Sequence, residues 1–185
     1  MLRRLILVAV TTLAACSPPL QRLPLAPVTS QLELRPLVSS VMIRPVTLPT
    51  YAAAEEIAFE GPGGLISTND DILWADDPTR AVSLALIRNL KDILDINVGP
   101  DPWPFLNLPD VTVEVQVERM IAGSDGIFYL TGQFFVGGDA IDFRDSTHDF
   151  NINQTITDQG LNSITTAQAQ ALLTLSEEIA QILGR

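Results

Sequence analysis

The chain has 185 residues, nearly half of them apolar, with 22 acidic side chains against 11 basic ones and a net charge of −11. That acidic excess argues against nucleic acid as a partner and against a protein face laid directly on anionic lipid. A single cysteine excludes an internal disulfide, so Cys16 is a buried spectator, a reactive thiol, half of an intermolecular bridge or an attachment point.

The residues before Cys16 narrow that choice. Arg3 and Arg4 open the chain, and Leu5 to Ala15 is apolar apart from Thr11 and Thr12. This run is shorter than the roughly 20 apolar residues a spanning helix needs. A charged start, a short apolar core and small residues at the end describe a secretory signal peptide over residues 1–15. Leu13-Ala14-Ala15-Cys16 resembles the bacterial lipobox, whose cysteine receives a diacylglycerol and becomes the mature N-terminus. Cys16 is therefore expected to be the membrane anchor, and two or three acyl chains hold far more firmly than one. Loss of Arg3 and Arg4 moves the net charge from −11 to −13. The lipid would hold the chain while the acidic domain stays in solution. Ser17 follows the anchor; in enteric-type lipoproteins serine there permits export to the outer membrane, whereas aspartate favours retention in the inner one.

Residues 16–36 are expected to form the lipidated cysteine and a proline-rich tether, because Pro18, Pro19, Pro24, Pro27 and Pro36 favour extended chain. The folded domain is expected over residues 37–185. Val38 to Val46 predicts a first strand. "EIAFEG" and "GLIST" flank Gly61-Pro62-Gly63-Gly64 and predict a hairpin, and "DILWAD" a short strand. Asp77-Pro78 supplies an N-cap followed by proline at the first helical position, and Val82, Leu86, Leu90, Ile93 and Leu94 recur at helical spacing. That helix should end between Asp95 and Gly99. "DPWPF" predicts a rigid loop. Val111, Val113, Val115 and Val117 then alternate with polar residues, a strand with one buried face. Ser124-Asp125-Gly126 turns the chain. Phe128, Leu130, Gly132, Phe134 and Val136 line the returning strand, Gly137-Gly138-Asp139 turns again, and Ile141 to Ile152 predicts a third, more polar strand. Ser163 to Leu183 predicts a second helix with Ile164, Leu172, Leu175, Ile179 and Ile182 on one face. The expected fold is α+β: a largely antiparallel or mixed sheet with two amphipathic helices packed on one face.

No residue pattern carries catalysis. The one histidine, His148, lacks a partner cysteine or second histidine for a metal, and no serine sits in a Gly-x-Ser-x-Gly elbow. "GPGG" lacks the Lys-Ser/Thr of a phosphate loop. Asn69, Asp70, Asp71, Asp76 and Asp77 do not follow EF-hand spacing, so a solvated acidic loop is the better account. Asp142 and Asp145 read as solubilising. No enzyme activity, metal or cofactor is expected. The two tryptophans stand apart. Trp74 lies between acidic clusters, and Trp103 beside Asp101 is locked between Pro102 and Pro104. A pre-organised tryptophan suits an interface anchor. A plug at the end of a small core suits it equally.

Three stretches carry a family resemblance: "ILWADDPTRAVSLALIRNL" from Ile72 to Leu90, Pro102-Trp103, and the terminal Leu175-Ser-Glu-Glu-Ile-Ala. With "VTLPTY" and the lipobox, they make residues 30–183 resemble the ABC-type transport auxiliary lipoproteins, the PqiC-like family. Asp76-Asp77 stands where that family more often has Glu-Pro. The resemblance implies an α+β fold and a periplasmic, lipid-anchored subunit of a transenvelope lipid-transport system. Its partners would be an inner-membrane permease and a mammalian-cell-entry (MCE) domain protein that forms a hydrophobic conduit. The subunit would fix the far end of that conduit to the outer membrane. The alternatives are a structural envelope lipoprotein, or a lipid-binding carrier, which would need a large apolar cavity.

Overall fold

The computed structural model describes residues 21–158 and 160–185, so Cys16, Ser17 and the signal peptide lie outside the described residues. Among the described residues, eight strands form one mixed sheet: β1 (Gln21–Leu23), β2 (Ser40–Ile43), β3 (Glu56–Glu60), β4 (Ile66–Trp74), β5 (Asn97–Pro100), β6 (Val111–Ala122), β7 (Ile127–Gly138) and β8 (Ser146–Thr155). Three α-helices accompany them: α1 (Thr50–Ala53), α2 (Pro78–Leu94) and α3 (Leu161–Leu183). The α+β architecture is thus as expected, with a mixed sheet.

The antiparallel meander β6–β7–β8 is the spine of the sheet. Val111, Val113 and Val115 are fully buried while Thr112, Glu114 and Gln116 are not, as the period of two requires. Where the register slips between Val117 and Arg119, the facing residue is Gly132. A β-carbon there would lie 2.2 Å from the Gln116 carbonyl oxygen, so only glycine permits this approach.

The other edge of β6 is shared. β2 runs parallel to it at Val111–Val113, Thr47 bridges to Gln116, and β3 meets it at Ala122 through Phe59. The chain from Ser40 to Glu60 therefore travels the whole length of β6. The β3–β4 hairpin forms as predicted, with a 3-10 turn at Pro62–Gly64, but β4 continues through "DILW" rather than leaving it as a separate strand.

Helix α2 begins as expected: the Asp77 carboxylate accepts from the Arg80 amide at 2.8 Å, and Pro78 holds the first helical position. It ends where Asp95 takes the left-handed conformation (φ 49°) and its amide reaches the Lys91 carbonyl. Its apolar stripe joins that of α3 and the inward residues of β6, β7 and β8 in one core. Between the helices a buried polar pair recurs: Asn89 Nδ2 donates to Ser176 Oγ at 3.2 Å, and Ser176 donates to the Leu172 carbonyl.

Three expectations need correction. Strand β8 starts at Ser146 rather than Ile141, because residues 139–145 fold into a loop held by the Asp139 amide on Asp110 and the Gly138 amide on Asp145. Strand β5 and helix α1 are additional; both are four residues long. The stretch Gln21–Pro36 is laid along the domain instead of standing off as a tether. β1 pairs in parallel with Ile72–Trp74, Ser30 donates to Glu177, the Leu34 amide donates to Ile93, and Arg35 and Arg185 exchange backbone bonds. Leu25, Leu32 and Leu34 pack on the core. Extended chain is what the prolines impose; apolar residues between them give that chain something to bury.

Candidate functional site

The segment joining β5 to β6 must cross back over β2, since β5 and β6 both run parallel to it. Residues 101–110 make that crossing without forming a strand or helix. Val98 faces the core, so Gly99 faces the opposite side of the sheet, and Trp103 lies over it. The indole Nε1 donates to the Asn107 carbonyl at 2.7 Å, and the Phe105 ring meets the indole edge-on at 4.9 Å. The Asp101 amide donates to the Ile43 carbonyl, pinning the start of the loop, while its carboxylate is exposed. Pro109, buried, pins the end.

What this clamp presents is apolar. Phe105 is 50% exposed, Leu108 is 71% exposed and Leu106 is fully exposed. Trp103 itself is half-buried. It covers Gly99 and forms part of an exposed aliphatic and aromatic ridge. Leu106 and Leu108 lie just beyond the "DPWPF" stretch that stands out in the sequence. The signal available was apolar residues in a loop with no helical or strand period to bury them.

Trp74 sits elsewhere. It is the last residue of β4, held between β1 and β3: its amide donates to the Glu55 carbonyl at 2.7 Å and its carbonyl accepts from Arg22. Its half-buried side chain borders small cavities of about 20 Å³ with Leu23, Leu25, Tyr51 and Met120. Trp74 and Trp103 are thus not brought together.

The polar candidates are dispersed as well. His148 is half-buried against the Phe134 ring and shares a hydrogen bond with Ser146 at 2.9 Å. Among the described residues no group of three His, Cys, Asp or Glu side chains is placed to hold a metal. The shifted ionisable groups belong to local pairs. The Tyr129 hydroxyl donates to Asp125, holding that carboxylate below its ordinary range and raising the phenol. The Gln116 amide does the same for Glu114, with Arg44 adding to it. Burial pushes Glu178 up. A larger depression of about 480 Å³, bordered by Phe59, Gly123, Ile156 and Ile164, opens at the far end of β6.

Residues 22–180 match the model of a family described as the ABC-type transport auxiliary lipoprotein component. The chain belongs to that family. Its fold recurs in solved structures. One is a crystal structure of an uncharacterised protein, with a TM-score of 0.68 and 19% identity, covering 83% of this chain and 95% of that one. Another is protein XCC0632 from Xanthomonas campestris, of family DUF330, with a TM-score of 0.67 and 14% identity, covering 85% of this chain and 92% of that one. No curated protein matches. At these identities the neighbours establish the fold alone. As a family member, the chain is an auxiliary component of an ABC-type transporter and a lipoprotein of the cell envelope. No helix among the described residues is long and apolar enough to cross a membrane.

Proposed function

We propose that this chain is the outer-membrane-anchored, periplasmic subunit of an MCE-type transenvelope lipid-transport system, acting as a docking component without catalysis. The observation that carries the reading is the exposed ridge of Trp103, Phe105, Leu106 and Leu108 on a loop pinned at both ends. Such a ridge is pre-organised, so little conformational freedom is lost when a partner covers it. Aromatic anchors flanked by aliphatics are the residues that carry binding energy at protein interfaces. The MCE-domain protein is the proposed partner at this ridge, and the permease is engaged through it. Cys16 supplies the anchor, and Ser17 favours the outer membrane.

The carrier alternative requires an enclosed apolar chamber. The depression bordered by Phe59 and Ile164 is open, and the cavities beside Trp74 are smaller than one acyl segment. Two experiments test the docking account. Palmitate labelling should vanish in Cys16→Ser, and undiminished labelling would contradict the anchor. The lipidated chain should retain the purified MCE-domain protein on a column. Failure to retain it, with the domain folded, would contradict the partner.

A further inference from the structure

We infer that the tip of the β3–β4 hairpin, at Leu65 and Ile66, rests on the lipid surface that holds Cys16, which turns the Trp103 loop away from that surface. The inference rests on the lipid anchoring proposed above.

The direction of the N-terminal arm carries it. From Pro36, which bridges to Gly184 at the end of α3, the arm can be followed backwards. It passes Ile93 at Leu34 and Glu177 at Ser30, and reaches the cavity shared with Gln168 and Ala81 at Leu25. Each step moves toward the start of α3. β1 continues that course, running parallel to β4 with Gln21 opposite Ile72. Followed toward its N-terminus, β1 itself therefore points along β4 in the direction of Ile66. Five residue steps separate Gln21 from Cys16. Fully extended they span about 17 Å, against about 20 Å for the run from Ile72 back to Ile66. A lipid on so short a leash holds this end of the domain at the bilayer.

The tip suits that place. Leu65 is 76% exposed and Ile66 46% exposed. Residues 61–68 carry no ionisable side chain. Two neighbouring acids are occupied: Glu60 is paired with Arg119, and Asp125 accepts from Tyr129. A strongly acidic domain thus meets lipid through a turn that carries no charge. The Trp103 loop lies at the other end of β6, beside Val111–Val113. Eleven residue steps of strand, about 36 Å, separate that level from Ala122, where β3 enters the hairpin.

The test uses the full lipidated chain in phosphatidylethanolamine vesicles containing nitroxide-labelled lipid. Leu65→Cys and Leu106→Cys are labelled separately with an environment-sensitive fluorophore, Cys16 being blocked by its lipid. Strong quenching and a blue shift at position 65, with neither at 106, is the expected result. Chain that floats with the vesicles but is quenched at 106, or at neither position, overturns the inference while leaving the anchor standing. Chain that fails to float at all removes the anchor, and the inference falls with it.

Discussion

Trp103 lies across Gly99 so closely that a β-carbon added to the glycine would stand 3.0 Å from the indole Cζ3 and 3.1 Å from Pro104 Cδ. The loop that carries the ridge is therefore seated by the absence of one side chain in β5. Gly99→Ala should lift the indole and break its hydrogen bond to Asn107. In a Trp74→Phe background, where Trp103 is the only fluorophore of its kind, the emission should move to the red. Unchanged emission would mean that the loop absorbs the methyl group without shifting the indole.

The buried pair between the two long helices gives a second test. Ser176→Ala leaves Asn89 Nδ2 without a partner, beside an Asn89 Oδ1 that has none among the described residues. An unsatisfied buried polar group costs about 1–3 kcal/mol, whereas replacing both partners by apolar groups of similar shape is close to neutral. Ser176→Ala should therefore lower stability in a denaturant titration, and adding Asn89→Leu should restore much of the loss. Additive losses would show that the pair is not a unit.

How far the sequence alone reaches is clearest from α2 and β5. Asp77, Pro78 and the stripe from Val82 to Leu94 each specify the helix independently, so local and tertiary signals agree. β6 is equally legible because one face is wet. β5 is not: "NVGP" holds a glycine and a proline, and only pairing with β2 makes it a strand. The docking of the arm is not legible in its prolines, because proline-rich chain is extended whether free or docked; Leu25, Leu32 and Leu34 hold it by packing. The ridge was half legible. Trp103 stands out by its prolines, but the exposure of Leu106 and Leu108 follows from the crossing over β2, a long-range feature.

Docking of the arm has a measurable consequence. A soluble chain beginning at Gln21 should melt cooperatively, and one beginning at Leu37 should melt lower. The shorter chain loses the Ser30–Glu177 and Leu34–Ile93 bonds and three partly buried leucines. At about 1 kcal/mol for each leucine, the deficit is on the order of 3 kcal/mol. Equal melting temperatures would return the arm to a free tether.

Glu178 supplies a pH dependence. Burial raises its carboxyl above the ordinary range, so the folded state holds its proton more firmly than the unfolded chain does. Above both values the charge is carried in both states and burial penalises the fold; below both, the penalty is absent. Glu178→Gln should therefore raise the melting temperature at pH 7. The gain should fade as pH falls through the carboxylate range, and a constant gain across pH would assign the effect to packing instead.

The docking role of the Trp103 loop is tested most directly by measuring, on the same samples, the melting temperature and the affinity for the MCE-domain protein of Leu106→Asp and Trp103→Ala. Leu106 is fully exposed, so its substitution leaves the fold untouched. Loss of a central interface side chain costs about 2 kcal/mol, roughly a thirtyfold fall in affinity. The account predicts that fall for Leu106→Asp at an unchanged melting temperature, with Trp103→Ala losing affinity as well. Unchanged affinity in Leu106→Asp, with Trp103→Ala altering only stability, would contradict it.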